Sequence, residues 1–413
     1  MKLFTTLKIK LLLLLAVAGP GLITAFADND AGGVATYSVA AAKFGYSMLI
    51  ITIPMTIVLM TTQEIGSRIA VVTGKGLGDL IREHFGIKIS ILLFGLLFFV
   101  NFGVIIQDMG GLKDGLGLFH LNIFLFLPLV VALTLLFITK ASYAKVEKFF
   151  LFMIFFYLAY FLSAILAKPD WGLVAKSLVI PTGKLSYGFL YTSVAVLGTT
   201  ITAWGQFFIN SYVKDKKLTI DKLKYSQAEI YIGALLTDLF SLFMMVAVIA
   251  TLFIHNVKIG SAADAAIAIR PFAGNLAGAL MGAGLIVAGF IGIAIVPLAT
   301  AYAFSEFFGY EGSLDVNYTK SRLFYGFFFF QLLLGMIVVM FPQISLFQIT
   351  LYADFLNGIF LPIIFFFLYK FANSQELMDA HKNNKLQNIL LVGSGIVITA
   401  AALLGGLGEL LHF

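Results

Sequence analysis

The sequence predicts an all-α integral membrane protein of about eleven transmembrane helices that form one domain over residues 1–413. Three observations support this prediction. Of the 413 residues, 60% are hydrophobic and only 12% are charged, whereas soluble domains carry roughly 25% charged residues. Apolar stretches near the length of about 20 residues that a spanning helix needs recur along the whole chain. The first and the sixth of these stretches are interrupted by polar or small residues.

The apolar stretches place one helix each, in chain order, near residues 11–42, 47–71, 88–110, 121–139, 147–167, 187–212, 228–255, 275–307, 321–341, 345–369 and 387–410. The first stretch follows a lysine-containing start, as a signal peptide would, but it continues into polar residues without a cleavage site. It is therefore predicted to be a membrane helix. No segment between the helices is long enough to fold as a soluble domain.

The two interrupted helices lie five helices apart, which is typical of two five-helix repeats of opposite topology. The predicted repeats cover about 11–167 and about 187–369, and an extra helix covers about 387–410. The halves show no similarity by eye at the level of residues. The repeat is therefore inferred from the topology and from the matching interruptions, at which unwound backbone is expected to bind ions or substrate.

The basic residues predict the orientation. Twenty of the 27 Lys and Arg residues fall on the side of the N-terminus, and the side with excess positive charge is cytoplasmic. The N-terminus is thus predicted to be cytoplasmic and the C-terminus extracytoplasmic. Compact loops favour a prokaryotic inner membrane. The net charge of +6 arises from basic residues in the short loops that determine this orientation, so it does not indicate binding to nucleic acid. We expect the lipid bilayer as a partner and no obligate protein partner.

Catalysis and bound cofactors are not expected. The chain contains no Cys, which excludes disulfides and thiolate metal sites. We find no phosphate-binding loop, no nucleophile beside a base, and no zinc or haem spacing. The sequence therefore favours a membrane protein that is not an enzyme.

The first interruption contains Asp28, Asn29 and Asp30 between apolar segments. An ionised carboxylate in the membrane costs about 2.5–3.5 kcal/mol on insertion scales, so two close together need a cation or a water-lined cavity. This pattern predicts a cation site. The alternative is a solvated extracellular loop between two short helices, although each flanking segment is too short to span the membrane alone.

The second interruption covers residues 198–206. It consists largely of Gly, Ala and Thr and ends with Gln206. Such residues expose backbone carbonyl groups, which offers neutral oxygen ligands. The alternative is a Gly/Thr surface for helix packing. A third acid, Asp354, lies inside the tenth helix, where it either approaches the ion, pairs with a lysine or lies in a vestibule.

Several segments resemble the Nramp family of divalent-metal transporters, which has a LeuT/APC-type fold of 5+5 inverted repeats. Gly19-Pro20 precedes the first interruption, and the segment 30–36, Asp-Ala-Gly-Gly-Val-Ala-Thr, resembles the first-helix motif Asp-Pro-Gly-Asn-x-Ala-Thr of that family. The segments 72–77 and 198–211 resemble the loop after helix 2 and the sixth-helix segment. The resemblance implies that Asp30 is the metal-binding aspartate.

The departures from the family pattern concern the metal ligands themselves. The metal-binding methionine of the family corresponds to Ala203, its proline to Trp204, its histidine to Gly205 and its first-helix asparagine to Gly33. A thioether helps to select transition metals over hard ions. This pattern is similar to the Nramp-related magnesium transporter branch, and the implied site for a partly hydrated Mg²⁺ or Mn²⁺ ion consists of Asp28, Asn29, Asp30, Gly33, Ala203, Trp204, Gly205, Gln206 and Asp354.

Proton coupling in the family is associated with histidine in helix 6 and acids in helix 3. Here Gly205 and Asn210 occupy the histidine positions, and helix 3 offers Gln107 and Asp108. We therefore expect Mg²⁺ transport without proton coupling. The alternatives are a proton-coupled Mn²⁺/Fe²⁺ importer, an amino-acid carrier of the same fold, and a sensor or scaffold that binds metal without moving it.

Overall fold

The computed structural model describes residues 19–183, 186–341 and 346–410, and all regular secondary structure within them is helical. We number the α-helices in chain order. They are α1 Pro20–Ala27, α2 Ala31–Phe44, α3 Thr52–Thr73, α4 Leu77–Leu118, α5 Ile123–Lys140, α6 Tyr143–Met153, α7 Leu158–Leu166, α8 Trp171–Ser177, α9 Tyr187–Thr200, α10 Ala203–Asp215, α11 Leu223–Val248, α12 Ala262–Ala268, α13 Arg270–Ala273, α14 Asn275–Phe308, α15 Arg322–Met340, α16 Leu346–Ala372, α17 Gln375–Met378 and α18 Lys385–Leu410.

Within the described residues, ten helical segments are long and apolar enough to cross a membrane. The sequence predicts eleven. The numbers differ because Ala31–Thr73 counts as one segment, although it contains α2 and α3 joined by the 3-10 turn Gly45–Ile51. Part of the first predicted helix, residues 11–18, lies outside the described residues. The prediction of an all-helical, multi-pass membrane protein is confirmed.

The first interruption separates α1 from α2, and the second separates α9 from α10. Asp30 has extended backbone angles, with φ −65° and ψ −175°, and so does Thr202, with φ −52° and ψ 149°. Helix α1 packs against α10, whereas α2 packs against α9. The first half of each broken helix thus lies beside the second half of the other, so the two broken helices run antiparallel, as inverted repeats require.

The start of α1 is held by a side chain from α11. Glu229 Oε1 accepts hydrogen bonds from the backbone N–H groups of Gly19, at 2.7 Å, and Leu22, at 2.9 Å. A carboxylate at this position satisfies two N–H groups that have no partner within the helix and complements the positive end of the helix dipole. The eight-residue α1 is therefore fixed against α11 although it is too short to be stable alone.

Helix α4 is the scaffold against which the first broken helix packs. It is longer than the predicted helix 88–110, and it bends at Gly86, whose φ of 78° and ψ of 173° are not helical. Helix α14 packs along it. A methyl group at Gly111 would lie 2.3 Å from the Cβ atom of Ala31, so the glycine allows α2 to approach α4 closely. This contact places Asp108 beside the start of α2.

Candidate ion-binding site

The two interruptions meet at Asp28. The hydroxyl group of Thr202, in the second interruption, donates to Asp28 Oδ1 at 2.6 Å. The amide of Gln63, on α3, donates to Oδ2 at 2.9 Å. Asp28, Asn29 and Asp30 are each only 1% exposed. A solvated extracellular loop, the alternative for this segment, does not fit such burial.

Gly205 leaves room for this contact. A methyl group at Gly205 would lie 2.7 Å from Asp28 Oδ1 and 2.6 Å from the hydroxyl oxygen of Thr202, distances at which the atoms collide. A histidine here would displace Asp28. The same hydroxyl oxygen of Thr202 accepts a 3.0 Å hydrogen bond from the backbone N–H group of Gly205, which caps α10.

Ala203 begins α10 and is completely buried. Its backbone N–H group donates to Asn357 Oδ1, on α16, at 3.0 Å. The side chain is a methyl group, so this position supplies no sulfur or nitrogen ligand. Carbonyl groups at the end of a helix lack partners within the helix, so the last turn of α9 directs backbone oxygens toward the second interruption.

Asp30 caps α2 and retains one free oxygen. Its Oδ1 accepts the backbone N–H group of Gly33 at 2.8 Å. Its Oδ2 is buried and has no hydrogen-bond partner among the described residues. A buried carboxylate oxygen without a donor is costly. This atom therefore needs compensation by a proton, a water molecule or a cation.

Asp354 and Asp108 lie on the same side of the site as Asp30. Asp354 Oδ2 accepts the hydroxyl group of Thr36 at 2.5 Å, and its Oδ1 accepts the amide of Gln107 at 3.1 Å. Asp108 Oδ1 accepts the backbone N–H group of Ala31 at 3.0 Å. The three carboxyl groups are close enough to interact electrostatically. Such a buried group of acids requires a cation or protons for compensation.

The remaining predicted residues face other helices or lack partners. The amide of Asn29 donates to the hydroxyl group of Thr237, on α11, at 2.7 Å and accepts from Ser241 at 2.7 Å. Its side chain therefore faces α11. Trp204 is buried and packs on Phe208, with ring centroids 6.3 Å apart. Both amide atoms of Gln206 are buried without a hydrogen-bond partner among the described residues.

The site combines four buried carboxyl groups, those of Asp28, Asp30, Asp108 and Asp354, with hydroxyl and amide groups. Within the described residues, no group of three or more Asp, Glu, His or Cys side chains is arranged to hold a metal ion directly. Gln63 and Asn357 were not predicted as site residues, and Asp108 only appeared as an acid in helix 3. Their signal in the sequence is a polar side chain within an apolar helix. Thr202 lies within the predicted second interruption, although its side chain was not predicted as a ligand.

Fold and site together define a multi-pass membrane protein of the broken-helix class, in which two antiparallel interrupted helices enclose a buried acidic site. The model of the natural resistance-associated macrophage protein-like family, Nramp, matches residues 21–407. The chain belongs to this family, and the resemblance seen in its motifs is confirmed.

The chain is also similar to curated proteins and to solved structures. A stretch of 193 residues is 30% identical to the divalent metal cation transporter MntH of Levilactobacillus brevis and covers 46% of this chain and 42% of that protein. The chain thus spans less than half the length of this curated relative. A manganese transporter of Eremococcus coleocola shares the fold, with a TM-score of 0.76, 18% identity, and coverage of 94% of this chain and 86% of that one. Mhp1, a nucleobase-cation-symport-1 family transporter, matches at a TM-score of 0.51 with 16% identity, covering 94% and 91%.

Proposed function

We propose that this protein carries a divalent metal cation across the membrane, and that the cation is Mg²⁺, with Mn²⁺ as a second substrate. The observation that carries the proposal is the free, buried Oδ2 atom of Asp30, which lies at the interruption of the first broken helix. A carboxylate held at this place by Gly33 has the charge and the position to bind an ion between two half-helices. The names of the MntH relatives support a divalent metal as substrate.

The ligand chemistry favours a hard ion. No Met, Cys or His occurs in residues 28–33 or 198–206, so these segments offer oxygen atoms alone as ligands, and oxygen ligands suit Mg²⁺ and Mn²⁺. Mg²⁺ gives up its water reluctantly and binds through one or two carboxylates. Asp30 would hold the ion, Asp28 and Gln206 would contact its water, and the small residues Gly33 and Ala203 would leave space for that water.

Driving force and orientation complete the proposal. The protein lies in the cell (inner) membrane with its N-terminus in the cytoplasm, as the distribution of Lys and Arg indicates. A divalent ion that enters a negative interior gains about 4.6 kcal/mol per 100 mV, which is sufficient for uptake without a coupled proton. Neither interruption contains a histidine that would serve as a proton carrier.

Uptake into proteoliposomes tests this function. Vesicles with an imposed negative interior should accumulate Mg²⁺ when they contain the native protein and should lose this uptake with Asp30→Ala. Asp170→Asn is a suitable control, because Asp170 caps α8 outside the broken helices and Asn caps helices equally well. If Asp30→Ala retains Mg²⁺ uptake, transport of the ion does not depend on this site.

A proton-coupled Mn²⁺/Fe²⁺ importer is the second candidate. It is favoured by Asp108, a fully buried carboxyl group with one oxygen that lacks a partner among the described residues. This group could accept a proton when a cation occupies Asp30. A pH-sensitive dye inside the vesicles separates the two candidates, since metal-driven acidification that depends on the protein supports coupling, whereas an unchanged internal pH during Mg²⁺ uptake supports the uncoupled mechanism.

A further inference from the structure

Two cavities lie beside α4, and one carboxylate lines both. The inner cavity is a small chamber of about 20 Å³, lined by Ala31, Gln107, Gly111, Ser261 and Thr350 together with Asp114. The outer cavity is an open pocket of about 350 Å³, lined by Lys113, His120, Ala263 and Arg270 together with Asp114. Asp114 is the residue that the two linings share.

The spacing of residues on α4 explains why these cavities connect to the central site. Gln107, Gly111 and Asp114 are separated by four and three positions, so they lie on one face of the helix. Gly111 has no side chain to fill the space between the two polar residues. At the inner end of this face, Gln107 donates to Asp354, and Gly32 of α2 lies against its Oε1 atom. The face thus leads from the open pocket to the surroundings of Asp30.

The oxygens on this face lack donors. Gln107 is 3% exposed, and its Oε1 atom has no hydrogen-bond partner among the described residues. No described residue donates a hydrogen bond to Asp114. The amine of the neighbouring Lys113 donates to the carbonyl of Val339 at 2.9 Å, although its charge still attracts Asp114 electrostatically. The buried oxygen of Gln107 is costly unless a cation or water compensates it, whereas the carboxylate of Asp114 is half-buried and reaches the open pocket.

The other charged groups near Asp114 are of both signs. Lys113 and, more weakly, Asp264 on α12 interact electrostatically with it, and Arg270 and His120 line the outer pocket. The outer pocket therefore carries both acidic and basic side chains, so cations are not expected to bind over its whole surface. A cation that passes the basic groups finds its compensating charge at Asp114, where the pocket meets the chamber.

We propose that Asp114 and Gln107 form a second divalent-cation site, outward of Asp30, at which a hydrated Mg²⁺ or Mn²⁺ ion is held before it reaches the central site. The proposal rests on the proposed function. The chamber has room for about one water molecule, so the ion is held at Asp114 while it is hydrated. Helix α12 packs over both α2 and α4, so its displacement would widen the chamber for the passage inward.

The absence of cysteine from the chain makes this site easy to probe. A cysteine introduced at Ala263, which lines the outer pocket, would be the only thiol, and a fluorescent label on it would be quenched by bound paramagnetic Mn²⁺. We would titrate the full-length labelled protein with Mn²⁺ in four backgrounds, namely native, Asp30→Ala, Asp114→Asn and Asp170→Asn. Mg²⁺ uptake would be measured with the same variants without the label.

We expect saturable quenching in the native and Asp170→Asn backgrounds and its retention in Asp30→Ala, with an affinity weakened by about tenfold or more in Asp114→Asn. The Michaelis constant for Mg²⁺ uptake should rise in Asp114→Asn while the maximal rate stays within about twofold. Absence of saturable quenching in the native background, or quenching that is unchanged by Asp114→Asn, would overturn the outer site. If the native protein shows the quenching but no Mg²⁺ uptake, the outer site is confirmed and the proposed transport function is wrong.

Discussion

The hydroxyl group of Thr202 donates a 2.6 Å hydrogen bond to the carboxylate of Asp28, and this bond joins the interruptions of two helices that are 174 positions apart in the chain. The same hydroxyl oxygen accepts the N–H group of Gly205. Thr202 therefore fixes the start of α10 and the orientation of Asp28 together. Changes at this contact should affect both stability and transport.

Replacement of Thr202 tests this dual role. Thr202→Val removes both hydrogen bonds and leaves Asp28 with only the amide of Gln63, so we expect a loss of about 1–3 kcal/mol in stability and slower Mg²⁺ uptake. Thr202→Ser retains the hydroxyl group and should behave like the native protein. Thermal unfolding of the purified variants and uptake in vesicles provide the two measurements. Equal behaviour of the Val and Ser variants would contradict the role of the hydroxyl group.

A methyl group at Gly205 should disturb Asp28 directly. The methyl carbon of Gly205→Ala would lie 2.7 Å from Asp28 Oδ1, so we expect a destabilisation of about 1–3 kcal/mol from overpacking and a marked loss of uptake. Gly326→Ala is the matched control, because this helical glycine has open space around it and alanine favours helices. An uptake rate that falls equally in both variants would show that the contact with Asp28 is unimportant.

The preference of the site for Mg²⁺ over Cd²⁺ should depend on the absence of a sulfur ligand at Ala203. Ala203→Met places a thioether beside the second interruption, and we expect the ratio of Cd²⁺ to Mg²⁺ uptake to rise by about tenfold or more, since soft ligands prefer soft metals. Ala203→Leu adds similar bulk without sulfur and should reduce uptake of both ions alike. If Leu and Met change the ratio equally, size rather than softness determines the selectivity.

Much of the fold could be predicted from the sequence because apolar length alone identifies membrane helices. Asp28 and Asp30 marked the first interruption, since carboxylates are not tolerated within an uninterrupted helix that faces lipid. The break at Gly86 and the close fit of Gly111 against Ala31 were not predictable. Both features depend on how α4 packs against other helices, and the pattern of apolar residues within one helix does not reveal such packing.

The site was predictable in part. The motif pointed to Asp30, and the structure gives that residue a free buried oxygen. The contact between Asn357 and Ala203 joins residues 154 positions apart, and nothing in either segment alone indicates the other. Asn29 illustrates the opposite case, because its position between two acids suggested a ligand, whereas its amide is occupied by Thr237 and Ser241.

A buried ion pair on α3 provides a test of stability away from the site. Arg68 binds both carboxylate oxygens of Glu64, at 2.8 and 3.1 Å, and also contacts Asn383 at 2.8 Å. Arg68→Met removes the only cation that pairs with the buried Glu64 carboxylate within the described residues and leaves it the amides of Gln227 and Gln387, so we expect a loss of about 3 kcal/mol. Lys75→Met breaks the exposed pair with Glu83 and should cost less than about 1 kcal/mol. Thermal unfolding compares the stability of the two variants. Similar losses of stability would contradict the role of burial.

We propose that the broken helices carry a hard, hydrated divalent ion at Asp30. The most direct measurement is Mg²⁺ uptake by proteoliposomes in the presence of equal concentrations of Cd²⁺ as a competitor, for the native protein and for Asp30→Ala. We predict that Mg²⁺ accumulates in native vesicles with little inhibition by Cd²⁺ and that Asp30→Ala abolishes the accumulation. Selective uptake of Cd²⁺ with exclusion of Mg²⁺ would contradict the transport of a hard ion at Asp30.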